Sequence, residues 1–300
     1  MLPAFLTTVL FSLSAVFANR TSGLLGGTRA NFVRLCLATV LLAVWAHGFG
    51  RGLHGGGLAI FFVSGCVGFG IGDLALYQAL PRIGSRLTIL LVHCLAAPLA
   101  ALIEWIWLGT QLTLPQIGAG VLILAGVSLA LAPGETLHLA RRRLLEGVAY
   151  GLVAALGQGL GAVLSRKAYE VVKLAGESVD GGTAAYQRVL GGILVGSIPL
   201  WLPLLFRRRR QPDPAAPRPN WRAAWPWVLA NSLAGPVIGV GCYQWALAGT
   251  PSGIVLPIVA TTPLVVIPFT YHMEGDRPGL RAILGGTLAV AGVVIMMQVR

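Results

Sequence analysis

Ten long apolar stretches dominate this 300-residue chain, and they decide what it can become. They run over about 2–18, 29–46, 57–80, 84–106, 114–132, 147–165, 184–206, 225–248, 252–272 and 279–298. A helix that crosses the hydrocarbon core of a bilayer needs roughly 20 apolar residues, so ten of them use about 200 and leave about 100 for connections. Apolar residues make up 56% of the chain and charged residues 11%. A soluble domain carries about 25% charged residues, so this chain lacks the polar surface of a soluble monomer. The stretches show no sustained alternation, which excludes a transmembrane β-barrel. Lipid offers the backbone no hydrogen-bond partner, so every stretch is expected to be helical. The first, Leu2 to Ala18, lacks a basic leader and ends in Asn19-Arg20, a poor cleavage site. It reads as a retained helix and not as a signal peptide.

Polar punctuation separates the stretches: Arg51 to Gly57, Pro81-Arg82, Pro133 to Arg143, Arg166 to Gly182, and Arg207 to Arg222. The last of these, RRRRQPDPAAPRPNWR, is too polar and too rich in proline to enter lipid and reads as a solvated loop. The chain holds 40 glycines, many of them spaced small-xxx-small: Gly68/Gly72, Gly147/Gly151, Gly157/Gly161, Gly192/Gly196 and Gly235/Gly239. In membrane helices that spacing lets backbones approach closely. GFGIG and GQGLG look superficially like a dinucleotide fingerprint, but that motif needs a strand and a βαβ unit around it. Helix packing is the reading that fits. The four cysteines, Cys36, Cys66, Cys94 and Cys242, fall inside apolar stretches without metal-ligand spacing, so neither a disulfide framework nor a metal site is expected.

The chain matches itself at an offset of 166 residues. Leu76-Tyr77-Gln78 corresponds to Cys242-Tyr243-Gln244, Ala125-Gly126-Val127 to Ala291-Gly292-Val293, and Gly109-Thr110 to Gly275-Asp276. Pro98 corresponds to Pro263 with a slip of one residue, and near the start of each half Thr28…Arg34 pairs with Thr183…Arg188. The expected organisation is therefore a first five-helix repeat over 1–133, a linker over 134–145 and a second repeat over 146–300. An odd number of spans makes the second copy enter from the opposite side. The fold class expected is all-α: ten transmembrane helices as two inverted repeats, an arrangement used by secondary transporters with a site near the bilayer midplane.

The halves resemble two EamA domains of the drug/metabolite transporter superfamily, over nearly the whole chain. The resemblance rests on the arginine of the second helix in each half (RLCLA from Arg34, RVLGG from Arg188). It rests also on Pro98 and Pro263 in the fourth helices, and on the half-ending runs LGTQLTLPQIGAGVLILAGV and EGDRPGLRAILGGTLAVAGV. The family turn Gly-Glu-Arg is replaced by Gly109-Thr110 in the first half and keeps only the shorter acid Asp276 in the second. The resemblance implies a carrier that moves a small metabolite by alternating access, often driven by a proton or ion gradient. It says little about which solute.

An ionisable residue inside a span is a functional hypothesis by default. Asp73, on the third helix in GFGIGDLALYQAL, has Gly239 at its repeat-related position, so it is asymmetric. It suits proton or cation coupling or substrate contact, and equally an ion pair with Arg34 or Arg86. Tyr77 shares its face at i+4, while Gln78 and the repeat mates Tyr243 and Gln244 complete a polar set whose alternative role is helix–helix hydrogen bonding. His93 in LLVHCLAAP, Gln158 and Asn231 are further candidates for solute or coupling. Arg34 and Arg188 lie about five residues, or roughly 7 Å of helix rise, inside their stretches. They read either as interfacial anchors or as charge pairs at the repeat interface. Pro98 and Pro263 are helix-break candidates. Glu104, beside Trp105 and Trp107, is expected at the wet membrane interface.

The formal net charge is +12. The cations fall in bursts between apolar stretches, as beside anionic lipid headgroups, and not on a stacking face for nucleic acid. Counted by face, the side bearing both termini carries five and the other fifteen. The positive-inside rule then places the termini outside, whereas the family resemblance places them in the cytoplasm. The expected partners are a small-molecule solute and the lipid of the cell membrane, with the chain a monomer or homodimer and no cofactor. The stretches contain no His-Glu-x-x-His, no paired membrane carboxylates and no Gly-x-Ser-x-Gly elbow, so no enzyme activity is expected. The alternative to a carrier is a non-transporting membrane scaffold or sensor.

Overall fold

A computed structural model describes residues 1–131, 141–205, 220–262, 264–265 and 279–299. Among these it contains helices and no strands. The helices are α1 (Leu2–Leu25), α2 (Gly27–Gly48), α3 (Leu58–Gly65), α4 (Asp73–Leu108), α5 (Leu114–Leu131), α6 (Arg141–Leu174) and α7 (Gly181–Leu205). They continue with α8 (Trp221–Ser232), α9 (Ile238–Gly249), α10 (Ser252–Val259) and α11 (Leu280–Gln298). Seven helical stretches among the described residues are long and apolar enough to cross a membrane. Their outer faces carry Val40, Val44, Leu102, Ile106, Leu152, Leu229 and Val290, all exposed. Such a continuous apolar exterior is intolerable in water and matched to lipid.

Helical hydrogen bonding runs through α4, yet the chain reverses within it. Gly68 and Gly72 lie against Gly161 and Gly157 of α6, while Ala96 and Ala100 lie against Gly159 of the same helix. A straight helix would hold Gly72 and Ala96 roughly 36 Å apart. Both can touch one turn of α6 only if the chain folds back between them. The stretches 57–80 and 84–106 are thus two antiparallel passes, divided near Pro81-Arg82. Gly147, where a Cβ would collide with Ile83, marks the level of the reversal on α6.

The helix α6 extends further at both ends than the sequence suggested. It takes in residues 141–145 of the expected linker and Arg166 to Leu174 of an expected loop. The extension is amphipathic: Ala168, Tyr169 and Val172 are buried against Phe61. Burying that face holds helical a segment whose charges alone read as a connection.

The repeat is written into the packing. Gly126 of α5 meets Ala289 and Gly285 of α11, and Gly292 of α11 meets Ile123 and Ala119 of α5. A shift of 166 exchanges the two sets, 126 becoming 292 while 289 and 285 become 123 and 119, which is the signature of a twofold relation. The two helices also run antiparallel, because Gly120 faces Met296 while Ala130 faces Gly285. Repeat-related helices that are antiparallel make the repeats inverted.

Each half also breaks α-helical geometry at the same place. A π-helical segment spans Cys66–Gly72 between α3 and α4, and another spans Leu233–Val237 between α8 and α9. At the 166-residue offset the first maps onto 232–238. In one the cause is the run of glycines (CVGFGIG); in the other it is Pro236, which lacks the N–H needed to continue the ladder. Such breaks expose carbonyls and cluster at functional sites.

Candidate functional site

Two arginines occupy equivalent positions on α2 and α7. Arg34 is seven residues past the start of α2 at Gly27, and Arg188 seven past the start of α7 at Gly181. Each is therefore roughly 10 Å into its helix, entering from opposite faces. Both side chains are largely buried.

Their surroundings differ. Arg34 Nη2 donates to Asp73 Oδ2 at 2.6 Å, and its Nε donates to Asn31 Oδ1 at 2.9 Å. Asp73 is the first residue after the π segment, so the irregular turn sets the angle at which its carboxylate meets α2. Tyr77 follows on the same face. Its ring lies against Gly27, where a Cβ would be 3.0 Å from Cδ1, and it is within electrostatic reach of Arg34. Ser232 Oγ, at the edge of the second π segment, donates to the Arg34 carbonyl at 3.2 Å. The pair thus sits between a helix of the first repeat and the broken helix of the second.

Arg188 is 5% exposed, and no carboxylate among the described residues lies within ion-pair distance of it. Its guanidinium lies 5.2 Å from the Phe69 ring centroid and crosses the seam between Gly68 and Gly161. Its Nε has no hydrogen bond. Tyr243, Tyr169 and Asp73 are within electrostatic reach of it, and the Tyr169 and Tyr243 hydroxyls are likewise buried without partners. A buried donor left unpaired costs about 1–3 kcal/mol.

The remaining candidates divide. Gln158 Nε2 donates to His93 Nδ1 at 3.4 Å, bringing together residues of the two repeats. Asn231 Oδ1 accepts from Ser14 Oγ at 2.7 Å, and its Nδ2 is unpaired. Gln244 is wholly buried with both amide atoms unpaired. Gln78 stands apart: it is exposed and accepts from Arg82 Nη1 at 3.0 Å. Pro98 is exposed at the rim of an apolar cavity of about 640 Å³ between α4, α5 and α10. Pro263 and the Arg86 side chain lie outside the described residues.

Glu104 is a correction. It is 1% exposed and not at a wet interface. Its Oε1 receives Arg166 Nε at 3.1 Å, and its Oε2 receives the Ser252 backbone N–H at 2.7 Å together with the Ser252 hydroxyl. The carboxylate caps the N-terminus of α10 across the repeat boundary, which compensates the loss of water. Tyr169, Asn31 and Ser14 were not singled out from the sequence. Tyr169 fell in a stretch read as loop, and the signal that would have found it is the i, i+3, i+4 apolar spacing through 165–172. Asn31 and Ser14 carry no signal beyond being polar within a span.

Comparison with known proteins gives three results. The family model for the EamA-like transporter family matches residues 1–132 and again 145–298. No curated protein matches the chain. A crystal structure of a protein superposes with a TM-score of 0.77 at 15% sequence identity, covering 99% of this chain and 98% of that one. At that identity the likeness concerns the fold.

Proposed function

Because this chain belongs to the EamA-like transporter family, we propose that it is a secondary active carrier in the cell membrane. It exports a small organic metabolite by alternating access, with a proton or cation as the coupling ion. One observation carries this reading. The Arg34–Asp73 pair is buried at the boundary of the two inverted repeats, directly after one π-helical break and beside the other. Broken helices meeting at a repeat interface are where carriers of this kind hold their solute and ions.

Asp73 is the coupling residue in this scheme. As a carboxylate it holds Arg34; with a proton on Oδ2 the ion pair is lost while the bond from Arg34 to Asn31 stays. Protonation therefore switches the contact between α2 and the π segment between two states, which is what coupling a proton to a conformational change requires. The absence of a carboxylate at Gly239 makes the switch one per molecule.

Purified protein in liposomes, challenged with a broad metabolite panel under imposed pH and sodium gradients, tests the proposal. Solute accumulation driven by the proton gradient is expected. If no solute moves under either gradient, the carrier reading fails and a scaffold or sensor takes its place.

A further inference from the structure

The two arginines are repeat mates, yet only one has its counter-ion. Asp73 neutralises Arg34 at 2.6 Å, and the position in the second repeat that would neutralise Arg188 is Gly239. A guanidinium cannot shed its proton in a protein. The set Arg34, Asp73 and Arg188 therefore carries one uncompensated positive charge in the middle of a lipid-embedded bundle. Buried charges in proteins are paired, and among the described residues nothing pairs this one.

The groups around Arg188 are those that receive an anion. Its Nε and the Tyr169 and Tyr243 hydroxyls are buried, without partners and able to donate, and each tyrosine is within electrostatic reach of Arg188. The rings of both tyrosines are fixed by neighbours: Tyr169 by Phe61, edge-on at 4.9 Å, and Tyr243 by Phe11 at 6.2 Å. Phe69 covers one side of the guanidinium, Nη2 lies at the seam of Gly68 and Gly161, and Nε keeps an unused N–H. The unpaired amide oxygens of Gln187 and Gln244 belong to chain neighbours of Arg188 and Tyr243, and so point about 100° away around their helices.

We propose that Arg188, with the Tyr169 and Tyr243 hydroxyls, binds the carboxylate of the transported solute, so that this carrier moves an organic monoanion. The inference rests on the carrier reading above and names its substrate class. The single excess charge selects a monocarboxylate: a dianionic phosphate would replace one buried net charge with another of opposite sign.

The test uses the full chain in phosphatidylcholine nanodiscs, so that no anionic lipid competes. Acetate, benzoate and octanoate are each compared with the corresponding amide by calorimetric titration and thermal unfolding. At least one acid is expected to bind and raise the unfolding temperature, with its amide silent. Arg188→Gln is expected to abolish that binding, and Arg188→Lys to weaken it about tenfold by losing the guanidinium fork. Should Arg188→Gln fail to fold, the double variant Tyr169→Phe/Tyr243→Phe preserves ring volume and is expected to weaken binding about tenfold. Equal binding of acid and amide, no binding of any acid, or unchanged binding in the folded variants each overturns the proposal. Flux separates the two readings. Movement of neutral or cationic solutes at rates unchanged in Arg188→Lys leaves the carrier standing and removes the anion site. Binding of an acid through Arg188 without flux of any solute removes the carrier.

Discussion

The Glu104 carboxylate on α4 receives the first backbone N–H of α10, at Ser252, at 2.7 Å. One oxygen thus caps a helix of the second repeat while the other holds Arg166 of α6 at 3.1 Å, and Arg166 in turn donates to the Leu247 carbonyl at the end of α9 at 2.8 Å. Three helices of the second repeat are tied to one carboxylate of the first.

Removing that carboxylate strands a helix end and an arginine together. Breaking a buried pair by deleting one partner costs about 3–5 kcal/mol; Arg166 keeps some contact with solvent, which places Glu104→Ala near the lower figure. For a chain of this size that is a fall of about 5 °C in unfolding temperature. Glu104→Gln retains an acceptor for the Ser252 N–H and should lose less. Thermal unfolding of the two variants in detergent, read by tryptophan fluorescence, checks the order. Equal loss in both would mean that the cap contributes nothing beyond the charge.

Asp73→Asn removes the proton-binding group and keeps the shape. Uphill accumulation driven by a pH gradient should fall at least tenfold, while downhill exchange of the same solute continues. Paired measurements of gradient-driven uptake and counterflow in one liposome preparation distinguish these. Wild-type and variant rates that are alike and independent of pH would remove Asp73 from coupling.

Asp180 precedes α7 and acts as its cap. Burial raises its carboxyl, but hydrogen bonds from the Thr183 hydroxyl, from Trp45 Nε1 and from the Thr183 and Gly182 backbone N–H groups outweigh it and hold the group below its ordinary range. A depressed acid stabilises the fold above its unfolded value and loses that contribution as pH falls through the folded one. The difference in unfolding temperature between wild type and Asp180→Ala should therefore be present at pH 5 to 7 and shrink below about pH 4. At neutral pH the lost cap should cost about 1 kcal/mol. A difference that stays constant down to pH 2.5 would contradict the assignment.

Two glycines of α5 provide a matched comparison. A Cβ at Gly126 would lie 2.5 Å from the Ala289 backbone nitrogen and 2.6 Å from the Gly285 carbonyl, whereas at Gly118 it would meet nothing within 4 Å. Backbone cannot move aside cheaply, so Gly126→Ala should push α5 from α11 and lower the unfolding temperature markedly. Gly118→Ala should be neutral or slightly stabilising, since alanine favours the helix by about 1 kcal/mol over glycine. Similar losses at both sites would show that the α5–α11 seam is looser than described.

The ten apolar stretches and the inverted repeat could be read from the chain because both are patterns of the sequence itself. Hydropathy is a property of consecutive residues, and lipid leaves the backbone no option but to satisfy itself locally. The amphipathic continuation of α6 to Leu174 was missed for the converse reason: Arg166, Lys167 and Lys173 outweigh Ala168, Tyr169 and Val172 in a local count, and only burial against Phe61 reverses the balance. Glu104 was misplaced in the same way. Its neighbours Trp105 and Trp107 pointed to the interface, but its partners, Arg166 and Ser252, are 62 and 148 residues away.

Composition and self-similarity alone determined that this chain enters a membrane as helices in two related halves. That Arg34 would find Asp73 while its mate Arg188 would face two tyrosines, with no ion-pair partner among the described residues, was decided only when α2, α7 and the broken third helices came together. Buried charges are matched by what lies across an interface, and sequence order does not record who stands on the other side.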